Sequence, residues 1–349
     1  MKNFYFLINS MEWGWAERVV SNLTKEYIKL WKDVYLFTLK NVLFYDIPKE
    51  VHYIPLSNIK NNLLLFLSIP FFALKFKKVL KKYKLRNWIS FLEISNFVHI
   101  LAKKNARISF RIHIDFFKWI TWTIQKYLIK WLYPKAEKII VNSRENKHDL
   151  AKFLKISEDK IDVWYNPINK EKIKKLREEN LDAEFLEKIK NKRVFITTWR
   201  LVWVKHHEKI IETLNEYDKM NKEWIYLIVW DWPERSKLEN LVKSFWLENK
   251  IIFLWQQKNV FKYLKHADLF LYASEVEWFP NTLLEAREIW LKIITSDFKS
   301  WAREVILWED TDTIWEELDY PFPWKHGILI NSNFYNSQFL SIIDNYGKN

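Results

Sequence analysis

Two glutamates, Glu277 and Glu285, stand seven residues apart in the run Glu277-Trp278-Phe279-Pro280-Asn281-Thr282-Leu283-Leu284-Glu285. The run spans a strand end, a tight loop and the first turn of a helix. That order puts both carboxylates near the carboxyl edge of a parallel sheet, where such sheets bind ligands. The backbone N–H groups across residues 280–283, of which Pro280 itself has none, open the helix and can receive an anion. Glu285, one turn in, can accept hydrogen bonds from two ribose hydroxyls, and Glu277 from sugar hydroxyls. Either glutamate alone reads as a solvated helix-end residue, which the positive end of a helix favours anyway. The whole run in this position points instead to a ligand with hydroxyls and an anion. Arg200 and Lys205, five apart, come just after an earlier strand. Alone they are ordinary surface residues, but they share the sheet edge with the glutamate run.

The elements that must position these residues follow from apolar periodicity. Residues 3–9 (NFYFLIN) read as a buried strand, 15–30 as a helix with Val19, Val20, Leu23, Tyr27 and Leu30 at helical spacing, and DVYLFTL as a second strand. Further strands are expected at 88–92, 106–110 and 138–141, with a long helical stretch over 116–133 before Pro134. Residues 170–192 are dense in Lys and Glu and read as a helical linker. The pattern then restarts: strands at 193–198, 224–229, 251–254, 268–272 and 291–295 alternate with helices at 206–220, 233–245, 259–265 and 281–289. Two successive doubly wound units predict an α/β protein with two Rossmann-like domains facing each other across a cleft. The expected boundaries are 1–168 for the first domain, 169–192 for the linker, 193–335 for the second domain and 336–349 for a short tail.

Composition narrows the partners. The chain of 349 residues has 28% charged and 49% hydrophobic side chains and no cysteine, which excludes disulfides and thiolate chemistry. No signal peptide is visible, and the longest apolar stretch, 63–74, falls short of the ~20 residues of a spanning helix. The net charge of +13 calls for an anionic partner. With no zinc-ligand spacing and no RNA-binding signature, a phosphate ligand or lipid surface is expected rather than nucleic acid. Residues 60–86 run from apolar to basic. They read either as a first-domain helix with a solvated basic face or as a peripheral contact with an anionic membrane.

One number is anomalous: 3 Gly against 21 Trp. Average usage predicts roughly 24 glycines in a chain of this length, and the two residue types together make up that number. The sharper reading is that most of these tryptophans are glycines, mis-assigned at a UGA codon that some bacterial lineages read as glycine and others as tryptophan.

Several segments in order resemble the retaining glycosyltransferases of family 4: MEWGWAERVVSNL (11–23), ISFRIH (108–113), YNPI (165–168), TTWRLVWVKHHEKII (197–211), LIVWDWPERSKLENLV (227–242), ADLFLYASEVEWFPNTLLEA (267–286), SDFKSWAREVI (296–306) and HGILI (326–330). The resemblance covers about 1–330 and is most similar to enzymes that add sugars to lipid-linked or surface polysaccharide precursors. It implies the GT-B fold and transfer from a nucleotide-sugar, with uracil the favoured base. The acceptor it implies is a glycan or polyprenyl-linked saccharide at the cytoplasmic face of the membrane.

It also implies roles. Arg200 and Lys205 grip the donor diphosphate, and fixed cations there stabilise charge that grows as the sugar–phosphate bond breaks. Glu277, Trp278, Phe279, Pro280, Asn281, Thr282 and Glu285 bind the donor. Trp13, Gly14, Trp15 and Ala16 form the acceptor or diphosphate loop, with Glu17 and Arg18 beside it. His113 lines the donor sugar and reaction centre, with Arg111 similar. Glu93, in SFLEISN, is a candidate acceptor contact by topology. No Asp-x-Asp follows a strand, so metal-independent transfer without a cofactor is expected.

The family has glycine where this chain has Trp15, Trp31, Trp199, Trp230, Trp232, Trp246, Trp255, Trp278, Trp290 and Trp301. Trp131 and Trp224 are expected to be genuine. After Ile330 only 19 residues remain, where family members continue into helices that cross back to the first domain, so a shortened or truncated tail is expected. A reading from another class is a non-catalytic nucleotide-sugar or polyanion-binding protein on the same fold.

Overall fold

The computed structural model describes residues 3–30, 33–84, 87–103, 105–111, 123–166, 168–199, 205–229, 234–255, 257–275, 277, 280–298, 302–307, 317–331 and 337–346. The chain divides into two compact units, Met1–Pro167 and Ile168–Asn349. No helix among the described residues is long and apolar enough to cross a membrane.

The first unit runs β1 (Asn3–Ile8), α1 (Trp15–Leu30), β2 (Asp33–Thr38), β3 (Val51–Pro55), α2 (Asn62–Leu67), α3 (Ile69–Lys82), β4 (Asn87–Phe91), α4 (Glu93–Ala102), β5 (Arg107–Ser109), α5 (Thr123–Leu132), β6 (Lys138–Val141), α6 (Arg144–Leu154) and β7 (Ile161–Val163). Its sheet has the order β3-β2-β1-β4-β5-β6-β7 with parallel pairing throughout. The unbroken apolar run of β1 is explained by burial on both faces. Tyr5 and Leu7 enter one core, with Phe72 and Phe76 of α3 and Phe97 of α4, while Phe4, Phe6 and Ile8 enter the other, with Val19 and Val20 of α1. Each fully buried aromatic contributes roughly 2–3 kcal/mol before entropy is counted.

The apolar-then-basic stretch forms two helices. Asn61 Oδ1 caps α2 by accepting from the N–H groups of Leu63 (2.8 Å) and Leu64 (3.2 Å), worth about 1 kcal/mol. Pro70 sits in the first turn of α3, where its missing N–H is harmless.

The second unit runs α7 (Lys170–Arg177), α8 (Ala183–Ile189), β8 (Arg193–Thr197), α9 (His207–Asp218), β9 (Trp224–Val229), α10 (Arg235–Ser244), β10 (Ile251–Leu254), α11 (Phe261–Leu264), β11 (Leu269–Tyr272), α12 (Asn281–Glu288), β12 (Lys292–Ser296), α13 (Ala302–Leu307), β13 (Phe322–Trp324), β14 (Gly327–Ile330) and α14 (Ser337–Asn345). The sheet order is β10-β9-β8-β11-β12-β14-β13, parallel except for the β13–β14 edge hairpin. Gly327 is one of the few glycines written as such, and the fold explains it: a Cβ there would collide with the carbonyl oxygen of Ile293 on β12. The helices α7 and α8, within the segment read as a linker, count with the second unit. Helix α14 packs against α9 in the same unit, where Asp344 pairs with Lys222 and its carbonyl accepts from Arg193 at 3.2 Å.

In both sheets the strand order reverses once, between β1 and β4 in the first and between β8 and β11 in the second. At such a reversal the two following loops diverge to opposite faces and leave a crevice outside the carboxyl ends of the strands.

Candidate functional site

The crevice of the second sheet brings together two of the residues singled out in the sequence. Lys205 follows β8 and Glu277 follows β11, so the switch point brings together residues 72 positions apart. Their side chains form an ion pair, with Lys205 and Glu277 only 8% and 9% exposed. The Tyr272 hydroxyl, at the end of β11, donates to the same Glu277 oxygen. Lys205 also reaches Ser274 Oγ at 3.4 Å, and the Ser274 carbonyl is held by Ser296 Oγ of β12 at 2.5 Å. Burial, and then the Glu277 carboxylate, push the Tyr272 phenol far above its ordinary range, so it stays a donor. An ammonium, a carboxylate and a phenol thus share one buried point at the sheet edge. Each is oriented by the others, the arrangement a preorganised anion and hydroxyl site needs.

The loop after Glu277 leads into α12. Pro280 is buried and precedes the helix, Asn281 and Thr282 form its first turn, and Glu285 lies half-buried on the next. The sequence suggested that the N–H groups across 280–283 are open to an anion, although Pro280 has none to offer. The structure corrects this for Leu283, whose N–H donates to the Pro280 carbonyl at 3.1 Å. Beside Lys205, His206 bridges two carboxylates, Glu208 at 3.1 Å and Glu275 at 3.3 Å, tying the start of α9 to the loop that carries Glu277. Arg200, Trp278, Phe279 and His113 lie outside the described residues.

In the first unit, the loop after β1 is fixed at Gly14, whose carbonyl accepts from Tyr45 Oη at 3.0 Å and from the Arg18 N–H at 3.1 Å. Trp13 is 70% exposed and leans on Phe44, ring centroids 6.3 Å apart. Ala16 is half-buried at the start of α1; the Trp15 side chain is outside the described set. Glu17 is buried and burial raises its carboxyl above the usual range, while Arg18 points to solvent.

Sequence reasoning missed Tyr272, Ser274 and His206. Tyr272 sits in an apolar strand and reads as core, and only the placement of Glu277 five residues on shows that its hydroxyl has work. Among the described residues, no group of three or more His, Cys, Asp or Glu side chains is placed to hold a metal ion.

The tryptophans divide by environment. Trp88 and Trp224 are buried with their indole N–H satisfied, by the Asn105 carbonyl and by Asp218 Oδ1, each at 3.0 Å. Trp199 is buried too, but its N–H has no partner among the described residues and its ring centroid lies 3.8 Å from that of Tyr272, closer than aromatic pairs normally settle. Trp246 and Trp290 adopt φ of 60° and 64° and are 88% and 72% exposed. Each follows a helix in the same motif. The Trp246 and Leu247 N–H groups donate to the carbonyls of Lys243 and Val242, and those of Trp290 and Leu291 to Arg287 and Ala286. That paired pattern closes a helix through a left-handed residue, usually glycine. Trp255 differs: the Arg235 guanidinium lies over its ring at 4.0 Å.

Comparison with known proteins adds the following. The family model described as "Glycosyl transferases group 1" matches residues 178–317, and "Glycosyltransferase Family 4" matches 14–172. A Campylobacter jejuni protein, N-acetylgalactosamine-N,N'-diacetylbacillosaminyl-diphospho-undecaprenol 4-alpha-N-acetylgalactosaminyltransferase, is 30% identical over 317 residues, 87% of this chain and 83% of its own. Among solved structures, a glycosyltransferase from Rickettsia africae superposes with a TM-score of 0.72 at 19% identity, covering 98% of this chain and 87% of that one. Anabaena HepE in complex with UDP-glucose superposes at 0.66 and 15% identity, covering 99% and 89%. These two likenesses show the shared fold.

Proposed function

Since the chain belongs to the family 4, group 1 glycosyltransferases, we propose that it is a retaining, metal-independent transferase acting from a UDP-sugar on a glycan or polyprenyl-linked acceptor. The observation that carries this reading is the buried Lys205–Glu277 pair at the switch point of the second sheet. The second unit holds the donor: Arg200 and Lys205 face the diphosphate, Glu285 the ribose, and Glu277 with the 278–282 loop the sugar. The first unit holds the acceptor, through Trp13, Gly14, Trp15 and Ala16, with His113 at the reacting carbon.

In the step itself the bond from the sugar carbon to the leaving phosphate oxygen breaks. The acceptor oxygen bonds to that carbon from the same face. The acceptor proton passes to the leaving phosphate oxygen. Cations around the diphosphate stabilise the charge that develops there, which is the work expected of the protein. The name of the Campylobacter relative favours a diphospho-undecaprenol-linked saccharide as acceptor and N-acetylgalactosamine as transferred sugar.

Label transfer from UDP-N-acetylgalactosamine to an undecaprenyl-diphosphate-linked disaccharide tests the proposal. Glu285→Ala and Arg200→Ala are each expected to lower the rate by about 10²-fold or more, as loss of a donor contact does. Full activity in both variants means that the donor site has been placed wrongly.

The reading also puts the protein at the inner face of a cytoplasmic membrane through α2 and α3. Leu63, Leu64, Leu67, Phe71 and Leu74 are each more than half exposed, and the stretch 60–84 has seven lysines and no acidic residue. Apolar side chains entering the interface beside lysines at anionic headgroups is the expected mode. Co-flotation with phosphatidylglycerol vesicles should fall at least about tenfold in Leu67→Glu/Phe71→Glu, given the apolar area withdrawn. Wild-type protein that stays with the soluble fraction removes this part of the proposal.

A further inference from the structure

The second sheet has chemistry at its other edge too. Lys205 and Glu277 follow the carboxyl ends of β8 and β11. At the amino ends, where Asp268 leads into β11 and Lys292 begins β12, lies a cavity of about 410 Å³. Strands of four and five residues, β11 and β12, separate the two edges, a span of ~13–17 Å. The rest of the wall comes from helix ends of the same unit. Arg177 is the last residue of α7, Lys265 follows α11, Trp290 comes after α12 and Tyr346 follows α14.

The backbone of this wall is fixed. The Asp268 N–H donates to the Val194 carbonyl at 2.8 Å, and Asp268 Oδ2 accepts from the Val194 N–H at 2.7 Å. The Tyr346 N–H donates to the Ile342 carbonyl at 2.9 Å, and the Tyr346 carbonyl accepts from Arg193.

The side chains are not settled in the same way. Three cations, Arg177, Lys265 and Lys292, share the cavity with one carboxylate, that of Asp268. Lys265 is paired only at the surface, with Glu178 at 3.3 Å, where Glu178 is 67% exposed, and such a pair holds its partner weakly. Lys292 Nζ lies 5.6 Å from the centroid of the Tyr346 ring. A basic residue at a helix end answers the helix dipole and by itself implies no ligand. Two further atoms do. Arg177 Nε and Tyr346 Oη are buried and have no hydrogen-bond partner among the described residues. A donor left unmade in the interior destabilises the free protein, and turning both toward an acceptor in the cavity removes that cost.

A phosphate group answers all of these demands at once. Its oxygens accept from a guanidinium fork, from ammonium groups and from a phenol, and its charge offsets the excess of cations. The volume falls within the roughly 300–1,000 Å³ of small-molecule sites, so it admits a body larger than phosphate alone. We propose that this cavity is a second anion site of the chain, taking the phosphate of a small phosphomonoester, with Arg177, Lys265 and Lys292 facing the charge and the Tyr346 hydroxyl donating to it. The site stands apart from the transferase reading, because no residue given a donor or acceptor role takes part. It is also the same whether Trp290 is tryptophan or glycine, since none of the recognising groups belongs to that residue.

Titration calorimetry on the full chain tests this, with UDP saturating the donor site and chloride matching the ionic strength. Inorganic phosphate should bind once per chain and glucose 6-phosphate more tightly, while glucose should not bind. Arg177→Met should weaken phosphate binding at least about tenfold, as loss of a charge-assisted hydrogen bond does. Tyr346→Phe should weaken it about threefold and, without phosphate, leave the melting temperature unchanged or raised, because the hydroxyl has no bond to lose. UDP affinity within about twofold of wild type reports that each variant is folded. Dibutyryl phosphatidic acid, below its micellar concentration, separates the two sources of such a group: tighter binding than glucose 6-phosphate assigns a lipid headgroup, weaker binding a free metabolite. No phosphate binding by the wild type, equal binding by a folded Arg177→Met, or glucose binding as tightly as its phosphate overturns the site. Failure of UDP to bind counts against the transferase reading instead, and the phosphate titrations still decide this one.

Discussion

Lys205→Met should transfer sugar about 10²–10³-fold more slowly than the wild type, as removal of a fixed charge stabiliser does, and should unfold more easily by about 3–5 kcal/mol. The second figure follows from burial. Lys205 and Glu277 are each under a tenth exposed, so deleting the ammonium leaves a carboxylate in the protein interior without its countercharge from Lys205, with the Tyr272 phenol still donating to it. Adding Glu277→Gln to Lys205→Met removes that buried charge. The double variant should therefore recover most of the stability, since replacing both partners of a buried pair is close to neutral. Its activity should stay at the level of the single variant or below, because the diphosphate still lacks its cation and the sugar hydroxyls their carboxylate. Urea unfolding and initial rates on the wild type, both single variants and the double variant form a complete cycle. Recovery of activity together with stability would mean that the pair is only a structural clamp, and the donor diphosphate would have to be held elsewhere.

That pair also shows how far the sequence carries. The strands and helices were legible because β1, β8 and β9 are unbroken apolar runs and α1 and α9 keep helical spacing, and each of these patterns has one structural solution. The strands β3 and β7 and the β13–β14 hairpin were not legible. β7 is three residues long, and β3 alternates without an apolar run, because edge strands meet less of the core. In the site, Lys205 and Glu277 could be named from their place after strands. That they touch could not, because contact between residues 72 apart is set by the strand order β8-β11, and linear spacing carries no record of that order. Tyr272 and Leu92 were illegible for a different reason. A tyrosine in a strand and a leucine before a helix look ordinary until the neighbouring backbone shows the hydroxyl bonded to Glu277 and the φ at 70°.

The other large expected effect concerns the tryptophans. Intact protein from its native host should weigh less than the written sequence by about 129 Da for each tryptophan that is translated as glycine, or about 1.3 kDa for the ten positions where glycine is expected. Three of those positions now have independent physical grounds. At Trp246 and Trp290 the left-handed conformation costs a side-chain-bearing residue roughly 1–2 kcal/mol that glycine does not incur, and the exposed indoles return little packing against it. Trp246→Gly and Trp290→Gly made from the written sequence should therefore each raise the melting temperature by about 2–4 °C, allowing about 1 kcal/mol per site in a unit of this size.

At Trp199 the gain is functional. Its indole N–H is buried without a partner among the described residues, which costs about 1–3 kcal/mol, and its ring presses on the tyrosine that orients Glu277. Glycine there removes both penalties. Trp199→Gly should raise transfer over the protein as written, whereas Trp88→Gly and Trp224→Gly should collapse it by emptying the core of rings whose N–H groups are satisfied. The opposite responses of Trp199 and Trp224, one strand apart in the same sheet, are what a codon reading predicts and a tryptophan-rich design does not. A native mass equal to the written sequence, or a Trp199→Gly protein less active than its parent, would return these residues to tryptophan.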